Sequence, residues 1–291
     1  MIAFGNRRTS RPLVLIFIVC LSFFHSPLAA HAWGTRAHRI VAHIATAHLS
    51  SHARHEIALL IDSHSLASIA DDADHWRKTR PETSPWHYVN IPFAASAYVP
   101  RRDCPNGNCI IAAIAKYREI VANRSYQKKF RQEALAFLVH LIADAHQPLH
   151  CINNNDRGGN DVAVMFFNTP TNLHEVWDNE LLFHTRLGER AYTHRLMTRL
   201  ASQDIEALQR GTPIDWVLAA HKLAREHAYR LPPDRNLQSR YYRDNLPILE
   251  EQLAKAGVRL ARVLNEAFRR DDEHQYTSRG EELRFCKKLK A

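Results

Sequence analysis

Two histidine–carboxylate pairs at helical spacing stand out in this chain. In Leu138, Val139, His140, Leu141, Ile142, Ala143 and Asp144, the histidine and aspartate lie at i and i+4. On a helix that spacing stacks an imidazole and a carboxylate on one face, close enough to share a metal ion. The apolar neighbours place the pair inside the protein, where charge is costly unless a partner or a metal matches it. A His–Asp hydrogen bond in a core would explain one such pair taken alone. His174 and Asp178 repeat the spacing within Asn172, Leu173, His174, Glu175, Val176, Trp177 and Asp178, and His150 adds a ligand type just past Pro148. In a chain with 19 histidines the repetition points to a metal centre, and His and Asp ligands without thiolates suit zinc. Upstream lie Asp71, Asp72 and Asp74 with Arg77, then Trp86, His87, Tyr88, Val89 and Asn90. In isolation those acids read as a solvated helix face or N-cap, and His87 as a loop histidine.

The elements that must carry these residues are helical nearly throughout. Ile40, Val41, Ile44, Ala45, Leu49, Ile57 and Leu60 recur at steps of three and four, with a break near Ser50 and Ser51, which predicts two helices over 38–61. Similar patterns predict helices at 110–122, 128–146, 174–186, 189–209, 213–228 and 242–268. Pro81, Pro85, Pro92, Pro100 and Pro105 break the pattern, so 79–109 reads as a long loop. Residues 151–172, with three consecutive Asn and Gly158–Gly159, read as a second loop with a short strand at Val162–Phe167. One all-α domain over 33–268, multiple packed helices with long loops, follows. Residues 269–291 are charged and aperiodic and read as an appended tail.

Composition excludes other classes. Hydrophobic residues at 45%, charged residues at 24%, 9 Gly and 13 Pro in 291 residues describe a globular chain with a core that needs no staples. Disordered, fibrous and disulfide-miniprotein readings are excluded. Residues 1–32 carry Arg7, Arg8 and Arg11, the apolar run Pro12–Phe24, then Ala30, His31 and Ala32, the pattern of a secretory signal peptide cut after Ala32. An uncleaved anchor is the alternative. No later segment is long enough to span a bilayer, so no membrane insertion is expected after cleavage, and the protein is expected to be secreted or periplasmic. Removing three arginines lowers the formal charge from +9 to +6, still suited to an anionic partner. Cleavage also removes Cys20. Cys104, Pro105, Asn106, Gly107, Asn108 and Cys109 form a turn sequence between cysteines that predicts a local disulfide; half of a zinc site lacks its second cysteine pair. Cys151 with Cys286 is the remaining pairing.

The order of motifs resembles one family. Trp33–Gly34 with His38, Ala73–Asp74 with Arg77, His87, His140 with Asp144 and His150, Gly158–Gly159–Asn160, then Asn172–Leu173–His174 with Trp177–Asp178 closely resemble the secreted trinuclear-zinc nuclease and 3′-nucleotidase family of the fungal nucleases S-one and P-one and the plant bifunctional endonucleases. The resemblance covers residues 33–268 and ends in Tyr241–Tyr242 and the helix through Leu253, Leu260 and Asn265. It implies a phospholipase C/nuclease-like helical fold with a cleft for three Zn²⁺. Asp74, His87, His140 and Asp144 would hold one zinc. The amino group and carbonyl oxygen of Trp33, with His38 and the bridging Asp144, would hold a second, and His150, His174 and Asp178 a third. The amino group exists at Trp33 only if cleavage follows Ala32.

The chemistry implied is hydrolysis of single-stranded DNA and RNA to 5′-phosphonucleotides, with 3′-mononucleotides as further substrates, by attack of a zinc-bridging hydroxide. Asp74, Arg77 and Asp144 would be the catalytic side chains, Arg77 neutralising charge on the phosphoryl oxygens. Tyr88, Asn90, Gly159 and Asn160 would bind substrate, in a protein expected to be monomeric. Tyr88 keeps an aromatic surface for stacking, worth roughly 1–3 kcal/mol per base. Asn90 departs from the aspartate of the fungal members; an amide donates and accepts where a carboxylate only accepts, so a broader base preference is expected. A zinc-dependent phospholipase C shares the fold, the N-terminal Trp and three zincs. The Asn172–Asp178 segment and the Gly158–Asn160 loop look nuclease-like, and no exposed apolar stretch suits a bilayer. A non-catalytic zinc- or nucleic-acid-binding protein is the other alternative, although structural zinc sites are usually closed tetrahedra.

Overall fold

The computed structural model describes residues 33–269, and the architecture is mostly helical, as the periodicity predicts. The expected signal peptide and most of the expected tail lie outside the described residues, as does Cys286. Helix α1 spans Thr35–Ala47 and α2 spans Ser51–Leu60, with the Ser50 side chain accepting from the Ala53 amide to cap α2. Helix α3 is Asp72–Thr79, α4 is Ile110–Ala122 and α5 is Lys128–Asp144. A helical stretch over 173–183, α6, is followed by α7 (Glu189–Leu200), α8 (Ile205–Gln209), α9 (Pro213–Leu223) and α10 (Ser239–Ala267).

Helix α5 is central because its second half has no polar side: every residue from Ala134 to Asp144 is buried. A helix apolar all round must be enclosed, and α1, α3, α4 and α10 pack around it. Gly257 lets α10 lie against α1. A methyl there would come within 2.5 Å of the Ile44 side chain, so even alanine would force the helices apart.

Departures from the predicted elements have local causes. The helix expected over 189–209 breaks at 201–204, where the Asp204 side chain accepts from the Ala207 amide and starts α8 afresh. The acidic segment is the first turn of α3, with Asp72 and Asp74 at its N-terminal end and Arg77 and Lys78 in its last turn, charges that oppose the helix dipole at both ends. The proline-rich 79–109 segment contains helical turns at Pro81–His87, Pro100–Asp103 and Pro105–Gly107, and the Cys104–Cys109 disulfide closes it. Cys151 is buried, and burial pushes its thiol pKa upward. The expected strand is Ala163–Phe166 (β1). It pairs antiparallel with Thr169–Asn172 (β2), in register Phe166 with Thr169, and parallel with Asn236–Leu237 (β3). Phe167 and Asn168, both at positive φ, make the two-residue hairpin turn.

Candidate metal centre

The chemistry-bearing residues come from several separate local devices, and all are buried. His38 lies on α1 and Asp74 on α3, His87 ends the Pro81–His87 turn, and α5 presents His140 and Asp144 in its last turns. Pro148 cannot continue that helix and opens the turn Pro148–Cys151, which carries His150. The β2 strand delivers Asn172, whose side chain accepts from the Glu175 amide and starts the helix bearing His174 and Asp178. Asp178 sits in a π-helical turn, Val176–Glu180.

Asp144, completely buried, is the hub. Its Oδ1 lies 3.3 Å from His38 Nε2 and 3.5 Å from His150 Nδ1; its Oδ2 lies 3.0 Å from His87 Nδ1 and 3.1 Å from His140 Nε2. Asp74 Oδ1 is 3.6 Å from His140 Nε2, 3.8 Å from His87 Nδ1 and 3.2 Å from Arg77 Nε. In the neighbouring group Asp178 Oδ2 is 3.1 Å from His174 Nε2 and Oδ1 is 3.7 Å from His150 Nε2. Among the described residues, three buried groups can each hold a metal ion: His38 with His140 and Asp144, Asp74 with His87 and His140, and His150 with His174 and Asp178.

The donor set fits cations. His140 Nδ1 donates to the Ala70 carbonyl at 2.8 Å, His174 Nδ1 to the Gly158 carbonyl at 2.7 Å and His150 Nδ1 to the His87 carbonyl at 3.1 Å. A carbonyl only accepts, so each ring carries its proton on Nδ1 and turns a lone pair on Nε2 toward the cluster, the arrangement of metal-binding imidazoles. Gly158, at φ +62°, is required here: a side chain would sit 2.4 Å from the Leu149 carbonyl oxygen. Asp74 Oδ1, Asp144 Oδ1, Asp178 Oδ2 and both ring nitrogens of His38 are buried without a hydrogen bond. Three orphaned carboxylate oxygens beside an unpartnered imidazole in one place are a demand for positive charge.

Electrostatics agree. Burial pushes His140 down, but Asp144 and Asp74 outweigh it and raise the ring to about 9. Asp144 is held well below the usual carboxylate range, burial opposing and His140 and His150 prevailing. Burial pushes His150 down to about 4. At neutral pH the metal-free His140 ring therefore carries a second proton, on Nε2, that a metal must displace. Metal loading is expected to release protons, and affinity to rise with pH until His140 deprotonates near 9. Calorimetric titration with Zn²⁺ in buffers of different ionisation enthalpy checks this; buffer-independent heats would contradict it.

A cavity of about 440 Å³ opens beside the cluster. Of the residues singled out in the sequence, Arg77, His87, Tyr88, Asn90, His150, Asn160 and His174 line it. Gly159 is not at its wall; its neighbour Gly158 is, while the Gly159 carbonyl accepts from the His174 amide at 3.3 Å. Trp33 is fully buried, and the next amide, of Gly34, donates to the Asp178 carbonyl at 3.1 Å.

Gln147 gave no signal in the sequence. It is uncharged and sits between a histidine and a proline, yet it is completely buried with Nε2 donating to Asp178 Oδ1 at 2.7 Å and Oε1 accepting from the Leu149 amide at 2.6 Å. It fixes the carboxylate so that Oδ2 faces His174. Gln147→Ala is expected to weaken metal binding at the His150, His174 and Asp178 group by about 10- to 100-fold, read by competition with a chelator, with the other groups still loaded.

Comparison with known proteins follows the same residues. The family model described as S1/P1 Nuclease matches residues 33–269. Endonuclease 4 of Arabidopsis thaliana is 31% identical over 84% of this chain and 92% of its own length. Nuclease P1 of Penicillium citrinum is 30% identical over 80% of this chain and 97% of its own, and Nuclease S1 of Aspergillus oryzae 28% identical over 81% and 91%.

Proposed function

The chain belongs to the S1/P1 nuclease family and is a nuclease that hydrolyses phosphodiester bonds, and from this we propose a secreted, zinc-dependent, single-strand-specific endonuclease with 3′-nucleotidase activity. The observation that carries the reading is Asp144, whose two oxygens face histidines of two different metal-binding groups at 3.0–3.3 Å. A buried carboxylate shared in this way suits two cations held side by side, with His150, His174 and Asp178 for a third. When bound, zinc ions would supply Lewis acidity, lowering the pKa of water at the site towards neutrality and neutralising phosphoryl oxygens.

The protein's own residues bind and orient. Asp74 holds the Arg77 guanidinium at 3.2 Å on the cavity wall, where it can face the oxygens of a phosphate and offset charge developing on them. Tyr88 stays 38% exposed while its backbone is pinned, its carbonyl accepting from the Ile110 amide at 3.0 Å. An exposed ring on a fixed backbone is a stacking platform for a base. Asn90 and Asn160 supply amides that can donate or accept along a base edge, and Gly159 supports the start of the helix that carries His174. Stacking and edge contacts need an unpaired base, so single strands are expected to be cut faster than duplex. Residues 1–32 are assigned as a signal peptide and the secreted chain as a monomer acting on DNA, RNA and 3′-mononucleotides.

The test is one panel of substrates with metal content measured in parallel. Mature protein with three zinc ions per chain is expected to hydrolyse single-stranded DNA, RNA and 3′-AMP, and to leave duplex DNA and phosphatidylcholine largely intact. Across the four homopolymers Asn90→Asp is expected to narrow the base preference. Phosphatidylcholine cleavage in place of nucleic-acid cleavage would overturn the reading.

A further inference from the structure

The cluster has a second open side. A cavity of about 400 Å³, separate from the one that holds Tyr88, meets the cluster at Asp74 and is lined by Arg36, Arg39, Asp74, Asn179, Phe183 and Glu189 among others. The Asp74–Arg77 ion pair forms the partition: Asp74 lines this cavity while Arg77 lines the other, and Asn179 follows Asp178 in the chain. A polynucleotide whose scissile phosphate lies at the partition must continue past it. A substrate that ends at that phosphate need not.

The second cavity repeats the chemistry of the first, an aromatic ring beside an arginine. Phe183 is 52% exposed, and the Arg36 guanidinium lies 5.5 Å from its ring centre. Nε and Nη2 of Arg36 are buried without an acceptor, so the protein leaves the guanidinium's charge unmatched at the wall of this cavity. The nearby carboxylate of Glu189 is already occupied, by His43 Nε2 at 2.8 Å and Arg39 Nη1 at 3.9 Å, so its charge is matched within the protein. A basic residue beside an exposed aromatic is how single strands are held without sequence choice.

We infer that Phe183 and Arg36 form a second nucleotide subsite, Phe183 stacking on the base beyond the scissile phosphate and Arg36 contacting the next phosphate of the strand. The inference rests on the nuclease reading and predicts that a polynucleotide is a better substrate than a mononucleotide.

The experiment compares wild type with Phe183→Ala, Phe183→Trp and Arg36→Gln, each loaded with zinc and checked for an unchanged melting temperature. Substrate is a deoxythymidine hexanucleotide, and a nucleoside 3′-phosphate, which ends at the partition, is the competitor. Phe183→Ala and Arg36→Gln are each expected to lower kcat/KM on the hexanucleotide about tenfold, with the competition constant of the 3′-phosphate within about twofold of wild type. Phe183→Trp restores the rate. Arg36→Gln alone flattens the dependence of log KM on log salt, by about 0.7 for one lost phosphate contact. An unchanged hexanucleotide rate, or an equal loss of affinity for the 3′-phosphate, overturns the subsite. A wild-type protein that leaves the hexanucleotide intact removes the nuclease reading itself, and the subsite with it.

Discussion

Asp144→Asn is expected to lower hydrolysis of single-stranded DNA by on the order of 10³-fold or more, and to leave the purified protein with one bound metal ion where wild type is expected to hold three. The reason lies in what each oxygen faces. Oδ2 is shared by His87 and His140 at 3.0 and 3.1 Å, while Oδ1 faces His38 at 3.3 Å. An asparagine keeps the shape of the side chain but gives up its charge and turns one acceptor into a donor. Whichever way the amide lies, one group of nitrogens meets an N–H in place of a lone pair, and two cations lose the anion between them. The His150, His174 and Asp178 group keeps both its carboxylate and its Gln147 support, so the ion retained belongs there. Metal content by mass spectrometry alongside the hydrolysis rate decides the matter. A variant that binds three ions and cuts at the wild-type rate would show that Asp144 does not bridge. Arg77→Gln separates charge from coordination: it should slow hydrolysis while all three ions stay bound.

How far the sequence speaks for such a site depends on whether a residue's partners are near it in the chain. His140 with Asp144 and His174 with Asp178 are legible because four residues of helix bring each pair together, and the apolar run around the first pair already implies burial. Asp74 is different. Its neighbours Asp71 and Asp72 suggest a solvated turn, and only the packing of α3 on α5 buries it. Its assignment from sequence rests on the order of motifs rather than on its surroundings. Gln147 and the Arg36–Phe183 pair are less legible still, since an uncharged amide and a surface arginine acquire meaning only from what lies opposite. Among the elements, α4 falls where periodicity places it, whereas β3 is two residues long and exists because β1, about 70 positions earlier, offers it a parallel edge. The π-helical turn at Asp178 is likewise invisible to a 3.6-residue pattern, although it sets where that carboxylate points.

Mature protein beginning at Trp33 is expected to bind three zinc ions, and a version retaining Ala32 only two, with hydrolysis reduced by about 10²-fold or more. The family resemblance assigns residue 33 to this site, and the donors otherwise present leave room for it. His140 has one lone pair facing the cluster, on Nε2, because its Nδ1 proton is committed to the Ala70 carbonyl. His140 belongs to both the His38 and the Asp74 groups, but its single lone pair can serve only one of two ions bound at once, and it lies among Asp74, His87 and Asp144. His38 and Asp144 Oδ1 are then two donors, short of the three or four that hold zinc. The proposed source of the rest is residue 33. It is fully buried, it precedes by one residue the Gly34 amide that donates to the Asp178 carbonyl, and His38 lies one helical turn beyond Gly34, whose carbonyl accepts from the His38 amide. A free α-amino group has an ordinary pKa of about 7.7–8.0 and yields its proton to a metal at modest cost. The same nitrogen inside a peptide bond has no basic lone pair to offer. On the proposed reading, one extra residue would change no side chain in the cluster and would still remove a ligand, so that cleavage after Ala32 would complete the site. Equal zinc content and equal rates for the two forms would mean that residue 33 is not a ligand and that His38 has a purely structural part.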